Sequence, residues 1–182
     1  MNKPTVVLKS LKTFIGMEGH GFNADVWING VKCMLAIDSA NGGCYEYQDY
    51  AYKSPKADVI KANIKLLENY IASLPEYPLE FDGKAYERDG KVVMMKPDMD
   101  SFINDLVIAL EVAKEEKKKL NLMKRAILVG LPDAKEYSYY NYKRELSAVP
   151  SPILQQHIDG YRTKLRKGEV ILNTNLAELG VK

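Results

Sequence analysis

The sequence contains only two cysteines, Cys33 and Cys44. Two cysteines are too few for the disulfide framework of a small secreted domain, and their spacing matches no common zinc motif. The only histidines are His20 and His157, so a zinc site of two cysteines and two histidines would need all four to converge from separate segments. We therefore expect reduced thiols, no metal site and no cofactor.

Long apolar runs are also lacking. No stretch approaches the roughly 20 residues needed to cross a bilayer, and MNKPTVVLKSLKTF at the start holds no continuous apolar signal segment. The 182 residues are 46% hydrophobic and 27% charged, which is typical of a globular chain and excludes the disordered class. These features predict a soluble, cytoplasmic protein with no membrane partner.

The chain has little excess of charge of either sign. Its formal net charge is +2, so the overall field provides no argument for a nucleic-acid partner. Basic residues are nevertheless concentrated in KEEKKKLNLMKR (114–125) and RTKLRK (162–167). Both stretches suit solvated helix ends, where cations favour the helix dipole, and contact with nucleic acid is the alternative. The residues predicted for that contact are Lys117, Lys118, Lys119, Lys124, Arg125, Arg162, Lys164, Arg166 and Lys167.

Strand patterns dominate the first 40 residues or so. TVVLKSLKTF predicts a first strand, and the glycines of GMEGHGF predict a loop or bulge after it. In NADVWINGVKCMLAID, apolar and polar residues alternate on both sides of Asn29-Gly30. Because a type I′ turn needs positive φ at both central residues, this dipeptide predicts a hairpin. After Asp38, Asn41, Gly42 and Gly43 are expected to lead the chain out of the sheet.

Three helices are predicted from apolar periodicity and end signals. The first follows Ser54 as N-cap and Pro55, and its apolar stripe consists of Ile60, Ile64, Leu67, Ile71 and Leu74. The second opens at residues 97–98 and continues to about Arg125, and the third runs from about Pro152 to Arg166. EVILN then predicts a last strand, whereas AILVGLP is typical either of a buried strand or of the end of the second helix.

The segment LEFDGKAYERDGKVVMM carries two Asp-Gly dipeptides, which predict a further hairpin or a three-stranded meander. Strands that cluster early and helices that alternate with short strand groups indicate the α+β class. We expect one domain over residues 1–182, in which antiparallel hairpins pack against two or three amphipathic helices. Two lobes that divide near residue 95 are the alternative.

Tyrosine is abundant, and eight of the twelve tyrosines lie in two clusters. A half-buried strand with a tyrosine-rich edge needs no function. Tyrosine also supplies rigid contact area with a hydrogen-bonding tip, which favours partner recognition. The predicted partner-binding residues are Tyr45, Tyr47, Tyr50 and Tyr52 in one cluster, and Tyr137, Tyr139, Tyr140 and Tyr142 with Lys143 and Arg144 in the other.

No motif in the sequence is specific for catalysis. GMEGHGFN has neither the G-x-G-x-x-G spacing nor a Gly-Lys-Ser/Thr end of a phosphate-binding loop. Glu18 and His20 are two apart on an extended segment, so their side chains would point the same way as an acid/base pair. With Asp38 they form one hypothesis, a small hydrolase or transferase site, which predicts a concave pocket lined by the three residues.

The segment FIGMEGHGFNADVWINGVKCMLAIDSANGGCYEY, residues 14–47, resembles the N-terminal region of small proteins encoded by phages and other mobile genetic elements. In length and character, the whole chain resembles the anti-CRISPR proteins that inhibit the RNA-guided nuclease of type II-A CRISPR systems. These inhibitors share no motif, so the resemblance assigns no functional residue.

The resemblance implies a non-enzymatic protein that acts in the bacterial host cell and evades host defence. Its partner would be the type II CRISPR nuclease, with or without guide RNA, and binding would block DNA binding or cleavage. Two other hypotheses stay open on the residues alone. One is a small phage nucleic-acid-binding protein, and the other is the hydrolase or transferase.

Overall fold

A computed structural model describes residues 3–81, 83–132, 134 and 136–182. The described residues form three α-helices and several antiparallel sheets, which confirms the predicted α+β class. They group into two compact units, of which the first ends at Leu110 and the second is Glu111–Lys182. The prediction of a single domain stays a prediction, because compactness does not test whether the units fold independently.

The first unit contains a four-stranded antiparallel sheet. Its strands follow chain order as β1 (Val6–Gly16), β2 (Gly19–Ile28), β3 (Val31–Asp38) and β4 (Glu46–Asp49). Asn29 and Gly30 have φ of 50° and 79°, as a type I′ turn requires, so the predicted hairpin is confirmed. The chain was expected to leave the sheet after Asp38. This is wrong for residues 46–49, which form β4 and pair with β3.

The glycine-rich segment is a tight hairpin rather than an extended loop. Gly16 pairs with Gly19, so only Met17 and Glu18 form the turn, and Gly21 lies within β2. The register shift lies instead between Lys9 and Lys12 in β1. Another backbone approaches Gly16 and Gly21 closely and leaves no room for a side chain, whereas Gly19 has open space around it and a φ of 131° that favours glycine.

The predicted first helix is confirmed as α1 (Ala57–Ala72), which buries Ile60, Leu67 and Ile71 against the sheet. The predicted cap is wrong. Lys56 occupies the N-cap position, and the Ser54 hydroxyl accepts a hydrogen bond from the Lys56 N–H at 3.2 Å in the preceding turn. Ser54 therefore stabilises the turn that leads into the helix.

Three short two-stranded ribbons follow, which we call the ribbon trefoil, residues 76–96. Its strands are β5 (Tyr77–Pro78), β6 (Glu80–Phe81), β7 (Lys84–Ala85), β8 (Glu87–Arg88), β9 (Lys91–Val92) and β10 (Met94–Met95). Strand β5 pairs with β10, β6 with β7 and β8 with β9. The prediction of one further hairpin is confirmed and exceeded, since a ribbon forms at each Asp-Gly dipeptide, although Asp82 of the first lies outside the described residues. A single three-stranded meander is wrong, since each ribbon is a separate sheet.

A ring of backbone hydrogen bonds joins the ribbons. The Leu79 N–H donates to Val93 (2.8 Å), the Val93 N–H to Tyr86 (2.9 Å) and the Tyr86 N–H to Leu79 (2.7 Å). The three residues are spaced seven apart, and the sequence repeats Glu-x-Asp-Gly-Lys after the first two of them. This seven-residue repeat indicates that the ribbons are related to one another. The sequence prediction used only the two Asp-Gly dipeptides and not the repeat.

Helix α2 (Met99–Met123) begins with a capping box. The Asp98 carboxylate accepts a hydrogen bond from the Ser101 N–H at 2.8 Å, and the Ser101 hydroxyl accepts one from the Asp98 N–H at 3.0 Å. Ile103 and Val107 of this helix are buried in the core of the first unit. The helix ends at Met123, two residues before the predicted end.

We expect Asp98→Ala to lower the free energy of unfolding by about 1 kcal/mol, because the cap is lost, and Asp98→Asn to be nearly neutral at pH 7. Hydrogen bonds from Ser101, chiefly its backbone N–H, hold the pKa of Asp98 below its ordinary value. The stabilisation is therefore present above the unfolded pKa of about 3.9 and is lost as the pH falls through the lower folded pKa. The free energy of unfolding, measured with urea from pH 7 to pH 2, should fall more steeply for the wild type than for Asp98→Asn. Parallel pH dependence of the two proteins would contradict this.

The second unit places a three-stranded sheet against α3 (Ser151–Arg162). Its strands are β11 (Ala126–Gly130), β12 (Ser138–Asn141) and β13 (Val170–Ile171), in the order β12-β11-β13. AILVG is thus a buried strand, and the last predicted strand is confirmed. The predicted third helix is confirmed but ends at Arg162 rather than Arg166, and Leu165 packs on the core after the helix has ended.

Short 3-10 helices at Leu146–Ala148 and Ala177–Leu179 complete the second unit. Its larger core contains Ile127 and Val129 of β11, Leu154 and Ile158 of α3, and Leu146 and Val181. Within the part of the chain that the structure describes, no helix is both long and apolar enough to cross a membrane.

Candidate partner-binding surface

The second tyrosine cluster lies on and beside β12, an edge strand of its sheet whose four residues are all exposed. Successive side chains of a strand point to opposite faces, so Tyr140 and Tyr142 share one face and Tyr139 has the other. The side chain of Tyr139 is 55% exposed. Strand β12 therefore exposes the side chain of Tyr139. It also exposes the backbone groups on its outer side, where the described sheet has no further strand.

Helix α3 contributes two residues that sequence reasoning missed. The ring of Tyr161 stacks on Tyr140, with centroids 4.1 Å apart and planes 12° apart. The Tyr142 hydroxyl lies 3.0 Å from Nδ1 of His157 and shares a hydrogen bond with it. His157 and Tyr161 are four residues apart on a helix, the spacing that places two side chains on one face. We call Tyr140, Tyr142, His157 and Tyr161 the aromatic cluster.

The aromatic cluster is held in a defined geometry. Burial raises the pKa of Tyr142 above its ordinary value, and its hydroxyl is fixed by the hydrogen bond with His157. Stacked and hydrogen-bonded rings have fewer rotamers to lose when a partner binds, which lowers the entropic cost of association.

Tyr137 differs from its neighbours. It is half-buried and packs against the small core of Met123, Ala126 and Leu128. The Lys119 ammonium lies over its ring, 5.7 Å from the centroid. Lys143 and Arg144 follow β12, and both are exposed. Of the predicted residues in this cluster, Tyr139, Tyr140, Lys143 and Arg144 are therefore exposed on the surface.

The first tyrosine cluster is used largely inside the fold. The Tyr47 hydroxyl donates to Oδ1 of Asp100 at 2.9 Å, and the backbone N–H of Tyr45 donates to Oδ2 of the same carboxylate at 3.0 Å. Burial, followed by the charge of nearby aspartates, raises the pKa of both phenols. These two tyrosines join the sheet to the start of α2.

Tyr50 is also part of an internal network. Its hydroxyl donates to Oδ1 of Asp25 at 2.8 Å, and Lys32 lies 3.0 Å from the same oxygen. Burial alone would raise the pKa of Asp25, but the hydrogen bonds from Lys32 and Tyr50 outweigh it, so this pKa lies below its ordinary value. Tyr52, at 80% exposure, is the member of this cluster that remains available to a partner.

The predicted basic residues do not all point freely into solvent. Lys118 pairs with Glu115, and Arg162 binds Asp159 at 3.0 Å and the Lys182 carbonyl at 2.7 Å. Lys119 is half-buried. The other basic residues of the two stretches are exposed: Lys114, Lys117, Lys124, Arg125, Lys164, Arg166 and Lys167. By sequence the second unit has 14 basic and 9 acidic residues, a net charge of +5, whereas the first has 12 and 15, a net charge of −3.

The residues of the hydrolase or transferase hypothesis lie around the β1–β2 turn. Glu18 and His20 are exposed, and Oδ1 of Asp38 accepts a hydrogen bond from the Ala40 N–H at 2.8 Å. Four shallow depressions of the described surface are lined by other residues. No three His, Cys, Asp or Glu side chains among the described residues are placed to hold a metal ion. The hydrolase or transferase site stays a hypothesis.

No protein-family model, curated protein or solved structure matches the chain.

Proposed function

We propose that this protein is a non-enzymatic inhibitor that binds a type II CRISPR RNA-guided DNA nuclease, alone or loaded with guide RNA, and blocks DNA binding or cleavage. The sequence resemblance motivates the choice of partner. The observation that supports binding is the exposed edge strand β12, which carries Tyr139 on one face and Tyr140 of the aromatic cluster on the other, and which exposed Lys143 and Arg144 follow in the chain.

The chemistry of this surface suits recognition of a protein that carries RNA. Tyrosine and arginine dominate interface hot spots because they combine large contact area with directional hydrogen bonds. Arg144 can bind a phosphate or a carboxylate through two parallel hydrogen bonds, and Lys143 adds a second cation. The unpaired backbone groups along the outer edge of β12 supply further donors and acceptors.

The decisive experiment titrates the purified protein into nuclease, guide RNA and target DNA, and measures cleavage together with co-migration. A binder should inhibit stoichiometrically and form a stable complex. Inhibition at far less than one equivalent would indicate an enzyme instead. Absence of both inhibition and a complex across type II nucleases would overturn the proposal.

Replacing Tyr139 and Arg144 together by alanine should weaken binding and inhibition at least tenfold, or about 1.4 kcal/mol, since both side chains are exposed. The matched control is Val59→Ala with Lys61→Ala, which removes an exposed apolar group and a cation from α1. Binding constants from a titration at fixed salt would measure the difference. Equal affinity of the two variants would place the interface elsewhere, and Tyr52→Ala then tests the first cluster.

A nucleic-acid-binding protein is the second candidate, and the net charge of +5 on the second unit favours it. Binding of guide RNA alone through the exposed lysines and arginines should weaken steeply as salt rises, because each phosphate contact releases counterions. Weak binding that does not respond to salt would exclude this candidate and leave the inhibitor proposal intact.

A further inference from the structure

The ribbon trefoil has almost no core of its own. Among its described residues, only Pro78, Leu79 and Val93 are partly shielded, and all the others are exposed. None of them belongs to a buried core cluster. An isolated two-stranded ribbon is marginally stable in water, so a surface that covers the trefoil would stabilise it.

Large apolar side chains are concentrated on this element. Six of them have exposures between 39% and 60%, namely Tyr77, Phe81, Tyr86, Val92, Met94 and Met95. Phe81 and Tyr86 meet edge to face with centroids 5.5 Å apart, which links two neighbouring ribbons. Exposed apolar side chains that are concentrated on one element indicate an interaction site, whereas single scattered ones do not.

The charges on the trefoil identify the kind of partner. By sequence, residues 76–96 contain five acidic and four basic side chains, so the element is nearly neutral and carries both signs. Nucleic acid and anionic membranes select an excess of positive charge, which is lacking here. A surface with both signs can complement itself, as a twofold contact between identical chains requires.

One cross-strand pair carries the same sign on both sides. Arg88 and Lys91 are directly opposite in the β8–β9 ribbon, an arrangement that is destabilising in isolation. Among the residues that the structure describes, no ion pair joins either of them to a carboxylate. Acidic groups from outside would relieve this repulsion, and Glu80 and Glu87 on the same element are exposed.

We propose that the ribbon trefoil is a self-association surface on which a second copy of this chain docks. The exposed aromatic, valine and methionine side chains of the two copies pack at the centre. Glu80 and Glu87 of one copy face Arg88 and Lys91 of the other, and the reverse holds by symmetry. This proposal is independent of the nuclease and concerns a different surface from β12.

Sedimentation velocity over a range from low to high micromolar tests the proposal with the protein alone. The wild type should shift from the mass of one chain toward that of two, and Phe81→Ser with Met94→Ser should weaken association at least tenfold. Val59→Ser with Val112→Ser is the control, because it removes two apolar side chains of similar exposure outside the trefoil. A wild type that stays monomeric at every concentration would overturn the proposal.

A charge exchange separates specific docking from loss of folding. Arg88→Glu with Lys91→Glu makes the trefoil acidic, and Glu80→Lys with Glu87→Lys makes it basic. Each variant should be monomeric alone, and a mixture of the two should form a heterodimer, because every repelling contact becomes an attracting one. Two folded variants that associate as well alone as mixed would show that the contact lies elsewhere, and failure of the mixture to associate would also overturn the proposal.

Discussion

Asn173→Asp is expected to lower the free energy of unfolding by about 3 to 5 kcal/mol, a large share of the roughly 5 to 15 kcal/mol that stabilises an ordinary domain. Asn173 is only 8% exposed. Its side-chain oxygen accepts from the Leu128 N–H at 2.7 Å, and its amide nitrogen donates to the carbonyls of Ala126 (2.9 Å) and Met123 (3.3 Å). An aspartate has no donor for those carbonyls, so two buried acceptors would face a carboxylate.

The reason for this dependence lies in the sheet. Strand β13 leaves β11 after Ile171, and the Leu172 N–H makes a last bond to the Leu128 carbonyl at 2.9 Å. The side-chain amide of Asn173 then continues the ladder as a peptide group would. Its oxygen accepts from the Leu128 N–H and its nitrogen donates to the Ala126 carbonyl.

Thermal and urea unfolding of Asn173→Asp measure the loss, and hydrogen exchange at the Leu128 amide locates it. Asn175→Ala is the matched control, since the Asn175 side chain makes two long hydrogen bonds, 3.4 Å from its nitrogen to the Met123 carbonyl and 3.5 Å from the Asn173 nitrogen to its oxygen, and should cost far less. Unfolding midpoints that coincide for Asn173→Asp and the wild type would contradict the assignment of Asn173 as part of the ladder.

Gly21→Val should destabilise the first unit by about 2 to 3 kcal/mol. A Cβ at this position would overlap the carbonyl oxygen of Asp38 and would lie 2.8 Å from the ring of Phe14, its cross-strand partner. The carbonyl belongs to the backbone of β3, so the sheet itself has to shift. The effect is steric, because Gly21 is not among the glycines with positive φ.

Gly43→Ala is the control for this prediction, since a Cβ at Gly43 meets no atom within 4 Å. It should leave the unfolding midpoint nearly unchanged. If Gly21→Val unfolds at the same denaturant concentration as the control, the steric explanation is wrong. Close packing of β1, β2 and the end of β3 would then not require glycine at position 21.

Local chemistry accounts for the elements that were predicted correctly. The Asn29-Gly30 turn depends on two adjacent residues that tolerate positive φ, and α1 depends on an apolar stripe with helical spacing. The ambiguity of AILVG shows the limit of periodicity, since a short apolar run suits either a strand or a helix until its neighbours are known. AILVG is a strand because it pairs with β12 on one side and with β13 on the other.

The tyrosine clusters show the same limit for function. Both were predicted to bind a partner, and that assignment stays a prediction. Composition alone does not show that Tyr47 donates to Asp100, 53 residues away, or that Tyr140 stacks on Tyr161. The structure places Tyr45, Tyr47 and Tyr50 in hydrogen bonds within the first unit and leaves Tyr52 and Tyr139 exposed.

By itself, the sequence determined the α+β class, the hairpin turns, the helices to within a few residues and the absence of long apolar runs, because these depend on neighbours within about one helical turn or one strand pair. Only the tertiary structure decided that β4 rejoins the sheet, that Asn173 completes the β11 ladder from 45 residues away, and that the apolar residues of the trefoil are exposed. Such contacts form only when distant segments are brought together by burial of the common cores, and no short stretch of sequence carries that information.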